Sequence, residues 1–304
     1  MRKAFVFAIA VAGLSLLGVA QEADCTFSGV LGMEFAFIPT PPATLEVETT
    51  ITLGLSFAGA SVESRTVLSL DGLEAEHIQF GVELGGVTLT TGMRFDPCFS
   101  KYWFEVRGGC CPFDLGALFL VENLAPPCQT PDFTVGIVLD LGLSFDSGFF
   151  VRSLTGFGVE ALYHLIDEDP ATDLLAVPGW WFEEELLHLG FATDCLRTES
   201  IFVFDELGFS WAQFYASYSW QEPVIEIGAR VWLSSAFAFD RADFILGFSI
   251  DPVSLRSVTS FDWMGFLSQQ IDISIEFSGI RLYSRTLFDF TGLISVTIGF
   301  ELSF

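Results

Sequence analysis

Lysine is nearly missing from this chain. Beyond residue 20 it occurs once, as Lys101, and asparagine once, as Asn123. The whole chain holds 13 basic against 39 acidic residues. Residues 1–20 contain Arg2 and Lys3 and no acid, so the remainder carries 11 bases and a net charge of −28. Nucleic-acid binding is excluded, because phosphate contacts draw on Lys and Arg. Acidic partners are disfavoured and cations favoured. Histidine is scarce too: His77, His164 and His188 are the full set. Spacing assembles no Ser–His–acid group from them, so an enzyme is not expected. No phosphate-cradling glycine loop occurs; Gly108-Gly109 precedes two cysteines and reads as a turn. No cofactor is expected.

The chain beyond residue 20 also lacks any apolar run long enough for a membrane helix. Yet across the full 304 residues 51% are hydrophobic, 34 residues are Phe, and the mean hydropathy is +0.52. The apolar residues must therefore be dispersed, as alternation disperses them. The last eleven residues show the pattern. Ile294, Val296, Ile298, Phe300, Leu302 and Phe304 point one way; Ser295, Thr297, Gly299, Glu301 and Ser303 point the other. Side chains of a strand alternate with period two. The chain is thus expected to close on a strand ending in an aromatic residue.

The same template recurs upstream. It covers Leu45 to Phe57, Ile78 to Leu84, Phe133 to Phe145, Ile225 to Leu233 and Ile271 to Phe277, and no stretch follows the helical period. Short turns fall at Ala58-Gly59-Ala60, Gly85-Gly86, Asp146-Ser147-Gly148, Asp251-Pro252 and Ser278-Gly279. Longer connections are expected at 96–101, 107–114, 122–132, 164–181 and 192–199. Counting segments predicts about 18 strands, within a range of roughly 14–20. At the N-terminus, Arg2 and Lys3 precede the apolar run Ala4 to Leu17 and the small residues Gly18-Val19-Ala20, the layout of a signal peptide cleaved after Ala20. Residues 21–304 then form one domain.

A soluble all-β sandwich or barrel alternates as well. The polar face separates the two. Here it is rich in Gly, Ser and Thr with scattered acids and arginines, which suits a confined lumen. Together the leader, the period-two strands over residues 26–304 and the final Ile298-Gly299-Phe300-Glu301-Leu302-Ser303-Phe304 resemble the bacterial outer-membrane β-barrel proteins of the porin-like superfamily. That resemblance implies an all-β, transmembrane, antiparallel up-and-down barrel in the bacterial outer membrane, embedded in its lipid. It also implies that the barrel-assembly machinery reads the terminal strand at Phe304.

Parity names the candidate lumen-lining residues: Glu46, Glu48, Glu83, Arg94, Asp140, Arg152, Glu160, Glu226, Arg230, Asp272, Glu276 and Glu301. An acid excess on a pore wall favours cations; the alternative is that these groups pair as structural salt bridges. Asp167, Glu168, Asp169 and Asp173 read as a solvated acidic outer loop, with divalent-cation capture as the sharper alternative. The aromatic runs Tyr102-Trp103-Phe104 and Trp180-Trp181-Phe182 read as interface residues. Six cysteines follow the leader, and disulfides are their expected use in an exported protein. Pairing is expected within the cluster Cys98, Cys110, Cys111 and Cys128, which falls in segments read as loops, leaving Cys25 with Cys195. The spacing does not suit a four-thiolate metal site.

The expected function is a porin-like channel that passes small hydrophilic solutes, with a preference for cations. The alternative is a non-conducting structural or adhesive barrel. A surface hydrolase would need a histidine beside Ser and an acid.

Overall fold

The computed structural model describes residues 25–40, 42–96, 98–126, 129–167, 174–221 and 224–304. The expected leader and its cleavage site lie outside these residues. In chain order the strands are β1 (Cys25–Ile38), β2 (Thr44–Phe57), β3 (Ala60–Ser69), β4 (Gly72–Leu84), β5 (Val87–Asp96), β6 (Cys98–Cys110), β7 (Phe113–Asn123), β8 (Phe133–Ser144), β9 (Phe149–Phe157) and the short β10 (Val159–Glu160). After a helical turn, α1 (His164–Asp167), come the short β11 (Leu175–Ala176), then β12 (Phe182–Ala192), β13 (Leu196–Asp205), β14 (Gly208–Gln221), β15 (Val224–Leu233), β16 (Phe239–Ile250), β17 (Val253–Asp262), β18 (Gly265–Phe277), β19 (Ile280–Asp289) and β20 (Gly292–Ser303).

Eighteen of these strands form one sheet, and it closes on itself. Each pairs antiparallel with its sequence neighbours. β1 pairs with β20, and β9 pairs with β12 across the segment 158–181. The architecture is the predicted up-and-down barrel. Phe304 extends the closing seam: its N–H and C=O both bond to Gly29, at 3.0 and 2.9 Å.

Closure satisfies every ladder without leaving an edge, as hydrocarbon demands. The outer face confirms that logic. Leu53, Leu141 and Ile298 point outward and are 41%, 54% and 58% exposed. A water-soluble sheet would pack such residues inward. Here they form the wall itself, which lipid rather than water solvates.

Two expected loops prove to be tight turns. Only residue 97 separates β5 from β6, and only Cys111-Pro112 separates β6 from β7. Cys98 and Cys110 therefore open and close a single strand of 13 residues, about 40 Å apart at ~3.3 Å per residue. That distance rules out a bond between them. Cys110 and Cys111 are free thiols, as are Cys25 and Cys195, so neither the wider cluster pairing nor the Cys25–Cys195 pair is present. Cys98 is disulfide-bonded, and Cys128 lies outside the described residues.

One turn design recurs at the end opposite the termini: Ser69-Leu70-Asp71-Gly72, Asp205-Glu206-Leu207-Gly208, Asp262-Trp263-Met264-Gly265 and Asp289-Phe290-Thr291-Gly292. In each, the first side chain accepts the N–H two residues on, at 2.7–3.2 Å. The closing glycine takes φ of +117 to +125°, where a Cβ would be strained. A register shift next to each turn marks a bulge. The similarity extends along whole hairpins. Phe57, Gly59, Ser64, Arg65, Thr66, Gly72, Leu73, Ile78 and Phe80 recur in the same order as Phe277, Gly279, Ser284, Arg285, Thr286, Gly292, Leu293, Ile298 and Phe300.

Candidate channel lumen

The segment 158–181 shows which face is inside. The sequence predicts a long connection over 164–181 with an acidic outer loop; instead, the described residues on both sides, 158–167 and 174–181, fold against the inner wall. Gly158 turns the chain off the wall at φ +62°. Val159, Leu162, Leu174 and Ala176 are buried against Trp103, Leu118, Leu120, Val138, Leu154, Leu186, Ile201 and Val203. Those partners come from six consecutive strands, β6–β9, β12 and β13, and Trp211 of β14 packs alongside. Alternate residues that look half-polar in sequence supply this inner core, which is why it was not foreseen. Trp103, expected at a lipid interface, belongs to it.

Polar clamps hold both arms of the insertion. Glu184 accepts the Leu162 N–H at 3.1 Å, and Glu122 accepts the Ala176 N–H at 2.7 Å. Tyr163 donates to Gln213 at 3.1 Å, and Arg152 donates to the Leu165 carbonyl at 3.2 Å. Lys101 is 4% exposed. It donates to the Leu174 carbonyl and lies 3.5 Å from the Glu122 carboxylate. The chain's one lysine beyond the leader thus pins the insertion. Of the acidic run, Asp167 closes α1, while Glu168, Asp169 and Asp173 lie outside the described residues.

Register carries the inner face around the barrel. Glu46 and Glu48 on β2, Glu83 on β4, Arg94 on β5, Asp140 on β8, Arg152 on β9, Glu226 and Arg230 on β15, Asp272 and Glu276 on β18, and Glu301 on β20 all fall on it. Glu160 does not: it belongs to β10 of the insertion. The other inward charges include Glu34, Glu63, Arg65, Arg256, Arg281 and Arg285, which parity could also have named. All 11 bases beyond the leader face inward, none sitting on the outer wall or in a turn.

The charges are arranged unevenly. Beside the insertion they are paired. Asp140 takes Arg152 at 2.7 Å and Arg107 at 2.9 Å, and Arg107 also takes Glu105 at 2.8 Å. Arg197 pairs with Glu199, which His188 approaches at 3.4 Å. His77 lies against the Trp103 ring, 4.7 Å between centroids. Arg230 pairs with no carboxylate among the described residues; it lies over the Tyr215 and Trp232 rings at 5.4 and 5.6 Å. Glu226, its strand neighbour, accepts from Tyr215 at 3.0 Å.

The opposite wall, β17–β20 and β1–β5, keeps Arg281–Glu301 at 3.3 Å and Arg285–Asp272 at 2.9 Å. Among the described residues Glu34, Glu46, Glu48, Glu63, Glu83 and Glu276 meet no basic side chain within 4.0 Å. Tyr283 donates its hydroxyl to Glu34 across the bare backbone of Gly299, where a Cβ would sit 2.3 Å from the ring. A cavity of about 400 Å³ beside it is lined by Glu34, Glu46, Glu48, Asp71 and Glu74. Among the described residues no segment packs on this half of the inner face, and it carries an excess of carboxylates.

A closed antiparallel barrel with an aqueous, charged inner face is the porin class of fold. No known family of sequences matches this chain, and neither does any curated protein. Solved structures do. A mutant of the Rh. blastica porin is similar at TM-score 0.55 and 10% identity, covering 92% of this chain and 100% of that one. Acinetobacter baumannii OccAB3 is similar at TM-score 0.58 and 8% identity, covering 92% and 99%. At such identities the likeness shows the fold.

Proposed function

We propose that this protein is an outer-membrane channel through which small hydrophilic solutes diffuse passively, with cations preferred. The carrying observation is the unpaired carboxylates Glu34, Glu46, Glu48, Glu63 and Glu83 on the half of the lumen that the insertion leaves open. Fixed negative charge on a pore wall raises the local cation concentration. Barrels of about 16–18 strands are wide enough for an aqueous path, and the porin-like fold supports the same reading. The insertion narrows that path, and its own sequence adds acids (Glu160, Asp167, Glu168, Asp169 and Asp173) and no Lys or Arg. Phe304, exposed at the end of the closing strand, is our candidate recognition residue for the assembly machinery.

The test is reconstitution in a planar bilayer under a salt gradient. Steps of current with a reversal potential of cationic sign are expected. Insertion without current would favour the second reading, a structural barrel, which the packed insertion on β6–β14 makes physically reasonable.

A further inference from the structure

The four recurrent turns share more than backbone geometry. Leu70, Leu207, Trp263, Met264 and Phe290 stand at their tips, 74–91% exposed, the five most exposed large apolar side chains among the described residues. Turns at the other end are built differently: Ala58-Gly59, Gly85-Gly86, Asp251-Pro252 and Ser278-Gly279 are small or polar. Below each tip an apolar pair crosses the hairpin on the outer face: Leu68 with Leu73, Phe204 with Phe209, Phe261 with Phe266 and Phe288 with Leu293. The Phe204–Phe209 and Phe261–Phe266 rings meet edge to face at 5.9 and 6.3 Å. The tips are therefore continuous with the lipid-facing wall.

Height fixes their surroundings. β3, β13, β17 and β19 have 10 residues each. At ~3.3 Å per residue and a tilt near 40°, they rise about 25 Å along the membrane normal, the height of the apolar band of such barrels. Tight turns at that height end among the lipid headgroups. Large apolar and aromatic side chains are favoured there. Every base beyond the leader faces the lumen, so the tips hold no cation for a lipid phosphate.

We propose that these four turns seat the far rim of the barrel in the interfacial layer of the outer leaflet, through apolar contact that needs no anionic headgroup. The proposal rests on the membrane reading of the outer wall, and the experiment separates the two. The full chain is reconstituted in phosphatidylcholine vesicles whose acyl chains carry bromine near the headgroup. Emission of the tip is taken as wild type minus Trp263→Phe, and that of the wall as wild type minus Trp220→Phe, with heat-modifiability on gels confirming folded barrels. The bromolipid should remove most of the Trp263 emission while aqueous iodide removes little, and added phosphatidylglycerol or salt should change neither result. Phe290→Trp should add emission quenched in the same way. A Trp263 quenched by iodide but silent to bromolipid places the tip in water and overturns the proposal. So does protection from both that is lost on dilution, which means a second copy covers it, or quenching that requires the anionic lipid. If Trp220 is silent as well, the membrane reading itself falls.

Discussion

The two halves of the lumen show what one barrel wall does with and without a filling. From β6 to β14 the middle of the inner face is packed over. Leucines, valines and an indole pack on the insertion, and the charges among them are bound in pairs. From β17 through β1 to β5, among the described residues, no segment packs on the wall, and Glu34, Glu46, Glu48, Glu63, Glu83 and Glu276 meet no basic side chain within 4.0 Å. Burial explains the difference. A charge removed from water needs a partner, whereas one that keeps its water does not.

The comparison breaks most sharply at Lys101. Lys101→Met leaves the Glu122 carboxylate half-clamped and uncompensated, and should cost about 3–5 kcal/mol in denaturant unfolding; adding Glu122→Gln should recover much of it. Next, Leu162→Ala or Leu174→Ala should each cost about 2–5 kcal/mol. Because they loosen the insertion, single-channel conductance should also rise. A conductance unchanged in the double variant would mean that the insertion does not limit the path. On the open side, Tyr283→Phe removes a hydrogen bond to the Glu34 carboxylate and should cost about 1–2 kcal/mol, with conductance nearly unaltered. The mildest change is Glu48→Gln with Glu63→Gln. Stability should hold, while the cation-to-anion permeability ratio falls by up to about fivefold, equivalent to ~1 kcal/mol of Coulomb energy at ~4 Å in water. Removing both members of a pair, Glu105→Gln with Arg107→Gln, leaves the net lumen charge unchanged and should leave the ratio where it was.

The barrel was legible because alternation is a local property. Leu45 to Phe57 states its two faces within itself, and the terminal strand states its end. The inward charges of the wall strands followed by parity; Glu160 did not, because it belongs to the insertion rather than to a wall strand. The insertion did not, because its core is shared between a loop and the polar-looking face of distant strands. Nothing near Trp103 or Leu120 in sequence announces Leu162 or Leu174. The tight β5–β6 and β6–β7 turns were missed for another reason. Cys98 and Cys110-Cys111 look like a disulfide loop until pairing shows them at opposite ends of one strand. The repeated hairpins were readable from Ser64-Arg65-Thr66 and Ser284-Arg285-Thr286, but only by comparing the chain with itself.

The recurrent turns also bear on biogenesis. A hairpin threaded into the barrel from the side of the termini must drag its bend through hydrocarbon. Each of these bends brings only one or two carboxylates, and the Asp289 oxygen is already engaged by the N–H groups of Thr291 and Gly292 at 2.7 and 3.2 Å. The rest of the cargo is Leu, Phe, Trp, Met, Gly and the uncharged Ser69 and Thr291. Such bends translocate against a far lower barrier than long charged loops would.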